Sequence, residues 1–95
     1  MPEMTFTIRW PDGTREPCYS PSLIIKDYLT PGETYALDDF LTRSRTALMI
    51  ASERVEAKYG FPCSRALGQL ARLESAGRSF STQSEARVAV ESFDA

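Results

Sequence analysis

The sequence predicts an α+β fold: a single two-layer domain over residues 1–95, in the order β-β-α-α-β, with two helices packed on one face of a three-stranded sheet. Three observations predict it. An alternating segment near the N-terminus runs into a turn, a long helical stripe fills the middle, and a second short alternating segment lies near the C-terminus. The predicted strand order is 2-1-3, because a proline places the second strand at an edge of the sheet.

The first two strands are predicted to form a hairpin. Residues 4–10, MTFTIRW, alternate between apolar and polar side chains, which is typical of a half-buried strand. The PDG sequence at 11–13 suits a tight turn, since Gly13 can adopt the positive φ that closes it. A loop of these three residues pairs Phe6 with Cys18.

This register assigns a face to each residue of the second strand. Directly opposed residues point to the same side of a sheet, so Cys18 is predicted to lie in the core and Tyr19 on the outer face. Pro17 has no N–H group and would interrupt the ladder of a central strand, so the second strand is predicted to be an edge. A third strand must then pair with the other side of the first.

The pattern leaves residues 20–36 without an assignment, because LIIKDYL is too short to distinguish strand from helix. A clear helical stripe follows, ended by Gly60 as a left-handed terminator and by Pro62, which prevents continuation. Asp38 and Asp39 suit its N-terminal turn, where they complement the helix dipole. The stripe consists of Leu37, Leu41, Ser44, Leu48, Ala51, Val55 and Tyr59.

A second helix and the third strand complete the predicted fold. Pro62 also suits the first turn of the next helix, whose stripe ends before Gly77, and the two helices are expected to pack as a hairpin. Residues 86–92, ARVAVES, place Val88 and Val90 on one face and are predicted to be the third strand. The stripe of the second helix consists of Ala66, Leu67, Leu70 and Leu73.

The composition excludes several kinds of chemistry. Eleven basic and thirteen acidic side chains, interspersed to a net charge of −2, argue against a nucleic-acid binder, which needs a basic surface. The chain has no histidine, which excludes Ser-His-Asp and Cys-His pairs and removes the commonest ligand of transition metals. We expect no metal and no cofactor. Without a leader sequence or a long apolar run, the protein is expected to be cytoplasmic and to avoid membranes.

Cys63 is the candidate catalytic residue, and it has two interpretations. At the N-terminus of the second helix, with Arg65 nearby, it has the surroundings that favour a reactive thiolate. It also falls on the same stripe as Leu67 and Leu70, where a thiol is a small buried core residue. A redox pair between Cys63 and Cys18 is a further alternative, although the chain lacks a CxxC motif.

A candidate binding loop follows the second strand. The hydroxyl groups of Tyr19, Ser20 and Ser22 cluster around Pro21, and Lys26 follows them closely. Such a loop could direct hydroxyls and an ammonium group at an anion, whereas turn formation alone also accounts for the serines.

Two long stretches carry a resemblance to a known family. They are CYSPSLIIKDYLTPGETYALDDFL at 18–41 and RTALMIASERVEAKYGFPCSRALGQL at 45–70, with RWPDG at 9–13 in addition. The chain resembles small bacterial proteins of the nitrogen-starvation response, whose genes lie in a cluster with a nitrilase. The resemblance implies a role in using nitriles or cyanide as nitrogen sources, and it transfers no catalytic residue.

The resemblance and the composition together lead to a functional expectation. We expect a non-catalytic accessory or binding protein that docks on an enzyme of the pathway or holds a small intermediate. The alternative is a small enzyme or carrier that uses Cys63 as a thiolate. The expected partners are a protein encoded in the nitrilase cluster and a second copy of the chain, which would bind through the free edge of residues 86–92 or the outer helix face.

Overall fold

The computed structural model describes residues 3–94, which form an antiparallel sheet with helices on one face. The sheet has four strands in the order β2-β1-β4-β3. The elements are β1 (Met4–Arg9), β2 (Arg15–Ser20), α1 (Ile25–Tyr28), β3 (Thr34–Ala36), α2 (Leu37–Tyr59), α3 (Ser64–Arg78) and β4 (Arg87–Asp94).

The β1–β2 hairpin confirms the predicted register. Phe6 lies opposite Cys18, and Gly13 has a φ of 89° at the end of the turn. The Trp10 N–H donates to the Thr14 carbonyl at 2.8 Å, which closes the loop where the sequence placed it. Both faces of β2 are therefore as predicted, with Cys18 in the core.

The predicted three-stranded sheet is wrong, because β3 adds a fourth strand. The predicted third strand is β4, which pairs with β1 as expected, and β3 pairs with its other side. With three residues, β3 is too short to show a period. It is held by backbone hydrogen bonds to β4, and this pairing extends beyond β3, where the Val90 N–H donates to the Glu33 carbonyl at 2.9 Å. The edge expected to be free for a second copy is thus paired over residues 87–90.

The β2 edge is protected in two ways. Its position at the end of the sheet confirms the prediction from Pro17, which offers no donor to a further strand. Tyr19, two residues later, directs its backbone N–H to the same side, where the side-chain oxygen of Gln69 accepts it at 2.9 Å. Proline and a helix side chain together remove two donors that a further strand would pair with.

Helix α2 has the predicted bounds, but its last turns are exposed. Gly60 ends it with a φ of 88°, and Asp38 and Asp39 lie in its first turn. Its 23 residues span about 34 Å, whereas a six-residue strand spans about 20 Å, so its end projects beyond the sheet. Tyr59 is accordingly 56% exposed. No helix within residues 3–94 combines the length and the apolar character needed to cross a membrane.

Helix α3 differs from the prediction at both ends. It begins at Ser64, so Pro62 lies before the helix and not in its first turn. It continues past Gly77 to Arg78, so this glycine is no terminator. A Cβ atom built on Gly77 would lie 2.8 Å from a methyl carbon of Leu41. The glycine therefore allows α3 to approach α2 closely.

Candidate functional site

The candidate site lies where the start of α3 crosses the edge strand β2. Arg65 and Gln69 are four residues apart and share one face of α3, and both contact Tyr19. The guanidinium carbon of Arg65 lies 3.8 Å above the centre of the Tyr19 ring, while Gln69 accepts the Tyr19 backbone N–H. This geometry is a cation–π contact, which fixes the position of the guanidinium group.

The other end of the Tyr19 side chain is also held. Its hydroxyl donates to a carboxylate oxygen of Glu3 at 3.0 Å. Burial, and then the hydrogen bond to Glu3, raise the pKa of the Tyr19 phenol, while Arg65 lowers it in part. The hydroxyl thus remains a donor at neutral pH. A cleft of about 250 Å³ lies beside it, lined by Glu3, Met4, Thr5, Tyr19, Arg65 and Asp94.

Arg65 has no carboxylate partner within residues 3–94. The arginines of the described ion pairs are Arg9, Arg15, Arg43, Arg45 and Arg72. A guanidinium group has five N–H donors in a planar fork that matches a carboxylate. The stack on Tyr19 uses only the face of this fork, so its donors remain available for a ligand.

Cys63 lies at the same end of the molecule, half-buried at the N-cap of α3. Its backbone N–H donates to the Ser52 hydroxyl at 3.2 Å, which joins the start of α3 to α2. The predicted enclosure by Leu67 is incomplete, because Leu67 is 37% exposed. The buried face of α3 consists of Ala66, Leu70, Leu73 and Gly77.

Cys18 lies in the core, as predicted, and is 2% exposed. Burial, with a further contribution from the Glu16 carboxylate, raises the pKa of this thiol to about 12, against a smaller opposing effect of Arg72. Its Sγ atom lies 3.8 Å from the Glu16 carbonyl oxygen, which is a long contact. Cys18 and Cys63 are both free thiols.

The serines of the predicted binding loop are occupied by internal hydrogen bonds. The Ser20 hydroxyl donates to the Ser22 carbonyl at 2.7 Å. The Ser22 hydroxyl accepts hydrogen bonds from the Ile24 N–H at 3.3 Å and from the Arg54 side chain at 3.0 Å. Both serines are buried, and they close a turn and connect it to α2. Lys26 is exposed on α1, with no ion-pair partner in the described part of the chain.

The structure therefore joins two of the candidate residues from the sequence, Tyr19 and Arg65, which are 46 positions apart in the chain (65 − 19). Sequence reasoning missed Glu3, Thr5 and Asp94. The hairpin register did contain one usable signal, because pairing Phe6 with Cys18 also pairs Thr5 with Tyr19. No comparable signal connected Asp94 to this cleft.

In a second cleft along the same edge, Glu16 and Arg72 form an ion pair with each other. The indole N–H of Trp10 donates to one Glu16 carboxylate oxygen at 2.9 Å, and Arg72 donates to both oxygens at 3.2 Å. The Trp10 ring stacks on Phe80 with 5.7 Å between ring centres. These contacts hold the hairpin against α3, so this cleft is structural.

These features define the protein as a small α+β domain with a polar cleft beside an edge strand. The sequence model of one family, described as nitrogen starvation-induced protein NitG, matches residues 5–93. The chain belongs to this family, which confirms the resemblance to nitrogen-starvation proteins. Searches of curated proteins and of solved structures gave no match. Within residues 3–94, no group of three or more acidic or cysteine side chains is placed to hold a metal ion.

Proposed function

We propose that the protein is a non-catalytic binding protein of the nitrogen-starvation response, which holds a small intermediate with a carboxylate group for a nitrilase-containing pathway. Membership of the nitrogen starvation-induced family supports the physiological setting. The link to nitriles or cyanide rests on the resemblance described above. The ligand site in this proposal is the cleft beside Tyr19 and Arg65.

One observation carries the proposal: the Arg65 guanidinium is held in place but has no carboxylate partner within residues 3–94. Stacking at 3.8 Å on Tyr19 restricts its orientation, so less side-chain entropy is lost when a ligand binds. Arginine binds carboxylates through two parallel N–H donors, and such charge-assisted hydrogen bonds are among the stronger ones in proteins. A ligand with a carboxylate group would complete this arrangement.

The surroundings favour binding over catalysis. The hydroxyls of Ser20 and Ser22 are engaged in internal hydrogen bonds, and burial raises the pKa of Cys18 far above neutral pH. A nucleophile needs a neighbouring base or a lowered pKa. Neither serine nor Cys18 meets this condition.

A titration with propionate, a simple carboxylate, tests the proposal by nuclear magnetic resonance. We expect signals of Tyr19 and of the Arg65 side chain to shift with millimolar affinity. Arg65→Ala should abolish these shifts, because it removes the donors. Arg78→Ala is the matched control, since Arg78 lies on the same helix and forms no described ion pair. Unchanged spectra of the wild type, or the same loss in both variants, would contradict the proposal.

Cys63 as a thiolate is the second candidate function. The observation in its favour is that the thiol is only half-buried, at the N-cap of a 15-residue helix. Helix N-termini favour the thiolate form. Its reactivity in the native protein, measured as the rate of labelling by iodoacetamide, decides this alternative.

A further inference from the structure

Three side chains form a row across the outer face of the sheet, next to Arg65. The β1–β2 register places Thr5 opposite Tyr19, and the β1–β4 register places Asp94 opposite Thr5. Neighbouring strands lie about 4.8 Å apart, so the backbone of Asp94 lies roughly 10 Å from that of Tyr19. Arg65 stands above one end of this row, and the Asp94 carboxylate stands at the other.

The charges that line the cleft are of both signs. Arg65, Glu3 and Asp94 form no ion pair within residues 3–94. Glu3 accepts the Tyr19 hydroxyl with one oxygen. A simple anion on Arg65 would face two carboxylates, and a simple cation near Asp94 would face the guanidinium. A ligand that carries both charges avoids both repulsions.

We propose that this cleft binds a small zwitterion of the amino-acid class, with its carboxylate on Arg65 and its ammonium group on Asp94. The volume of about 250 Å³ lies below the range of about 300 to 1,000 Å³ typical of pockets for drug-sized ligands, so a small molecule fits it best. The inference rests on the proposed function and specifies the class of ligand at the same site.

The separation of the two charged ends favours one kind of amino acid. Arg65 and Asp94 approach the cleft from opposite sides of the Thr5 backbone. A ligand whose ammonium and carboxylate groups are several bonds apart, such as 4-aminobutyrate, can contact both ends. Glycine, with both charges on neighbouring carbons, cannot. Thr5 lines the cleft between the two ends and carries a hydroxyl as a further hydrogen-bonding group.

Four probes test the inference by titration of the full chain: 4-aminobutyrate, glycine, butyrate and butylammonium. We expect 4-aminobutyrate to bind about 1.5- to fivefold more tightly than each of the other three, since it gains one additional exposed charge contact. Signals of Thr5, Tyr19 and Asp94 should shift on binding. Butyrate and butylammonium each retain one of its two charges.

Asp94→Asn tests the contact with the ammonium group of the ligand separately from the contact with its carboxylate. This variant should lower the affinity for 4-aminobutyrate about 1.5- to fivefold. It should leave butyrate binding unchanged or tighter because a nearby negative charge is lost. Asp27→Asn is the matched control, since Asp27 is an exposed carboxylate on α1, outside the cleft lining. It should change neither affinity.

The two ways in which the inference can fail are distinguishable. Equal binding of butyrate and 4-aminobutyrate, both lost in Arg65→Ala, would overturn the zwitterion class and leave a carboxylate site. Absence of binding by all four probes at millimolar concentration would overturn both the inference and the proposed function.

Discussion

Arg65 and Arg72 lie seven residues apart on one face of α3, and both reach the edge strand β2, yet their surroundings differ. Arg72 meets Glu16, a carboxylate with a side-chain exposure of 14% that also accepts the Trp10 indole N–H. Arg65 meets the Tyr19 ring and no carboxylate within residues 3–94. We call the first region the paired end and the second the open end. The difference shows that one helix face can fasten a sheet at one end and leave a cation available at the other.

The two cysteines differ in the same way. Cys18 lies on the core face of β2, between the two ends, where burial and then the Glu16 carboxylate raise the pKa of its thiol. Cys63 lies at the open end, half-buried, with its N–H held by Ser52. Thiol chemistry therefore reports directly on the contrast between the two ends.

The largest expected effect is on thiol labelling in the native protein. A rise of the Cys18 pKa from its usual 9.0 to about 12 lowers the thiolate fraction about a thousandfold at pH 8. Burial also blocks access by the reagent. We expect iodoacetamide to label Cys63 at least a hundredfold faster than Cys18, as followed by mass spectrometry, since the higher nucleophilicity of a less acidic thiolate offsets part of the difference.

Single-cysteine variants provide the control for this comparison. Cys18→Ala reports on Cys63 alone, and Cys63→Ala reports on Cys18 alone. The two thiols should react at similar rates in urea, where the environments are lost. Similar labelling rates of Cys18 and Cys63 in the native protein would contradict the expected difference between the two thiols. A titration midpoint of Cys63 well below pH 8 would favour the thiolate function over the binding function.

The next effect is on the free energy of unfolding, measured by urea denaturation. Trp10 is 4% exposed and packs against Phe40 and Phe80, so Trp10→Ala should cost about 3 to 5 kcal/mol. Tyr19 is only half-buried on the outer face, so Tyr19→Ala should cost about 1 kcal/mol. Trp10→Phe removes the indole hydrogen bond to Glu16 but retains most of the ring packing, so it measures the two contributions separately. Equal costs of the two alanine substitutions would mean that the open end is as structural as the paired end.

The features that the sequence predicted correctly depend on residues close together in the chain. A turn of three residues fixes the hairpin register and with it the faces of Cys18 and Tyr19, and a capping glycine fixes the end of α2. Strand β3 was not predicted, because three residues are too few to show the alternation of a strand. The stack of Arg65 on Tyr19 depends on how α3 crosses the sheet edge, which is set by packing between distant segments. The pattern within any one segment does not contain that information.

The role of Gly77 was missed for a related reason. A glycine near the end of a predicted helix is commonly a terminator, and this one stands one residue before the last helical position. A side chain at this position would instead collide with a methyl group of Leu41 on α2, 36 positions earlier (77 − 41). Sequence pattern identifies the faces of α2 and α3, whereas the distance between them depends on which side chains meet.

The smallest expected effect is on stability after removal of each arginine. Arg72→Ala should cost about 0.5 to 1 kcal/mol, because Arg72 itself is exposed but its partner Glu16 is largely buried and would retain only the Trp10 N–H. Arg65→Ala should stay within about 0.5 kcal/mol, since Arg65 is exposed and breaks no ion pair within residues 3–94. Added salt should reduce the Arg72 cost by screening its pair and leave the Arg65 value unchanged. An Arg65→Ala cost equal to that of Arg72→Ala would show that the stack on Tyr19 stabilises the fold, and the guanidinium would then no longer count as available for a ligand.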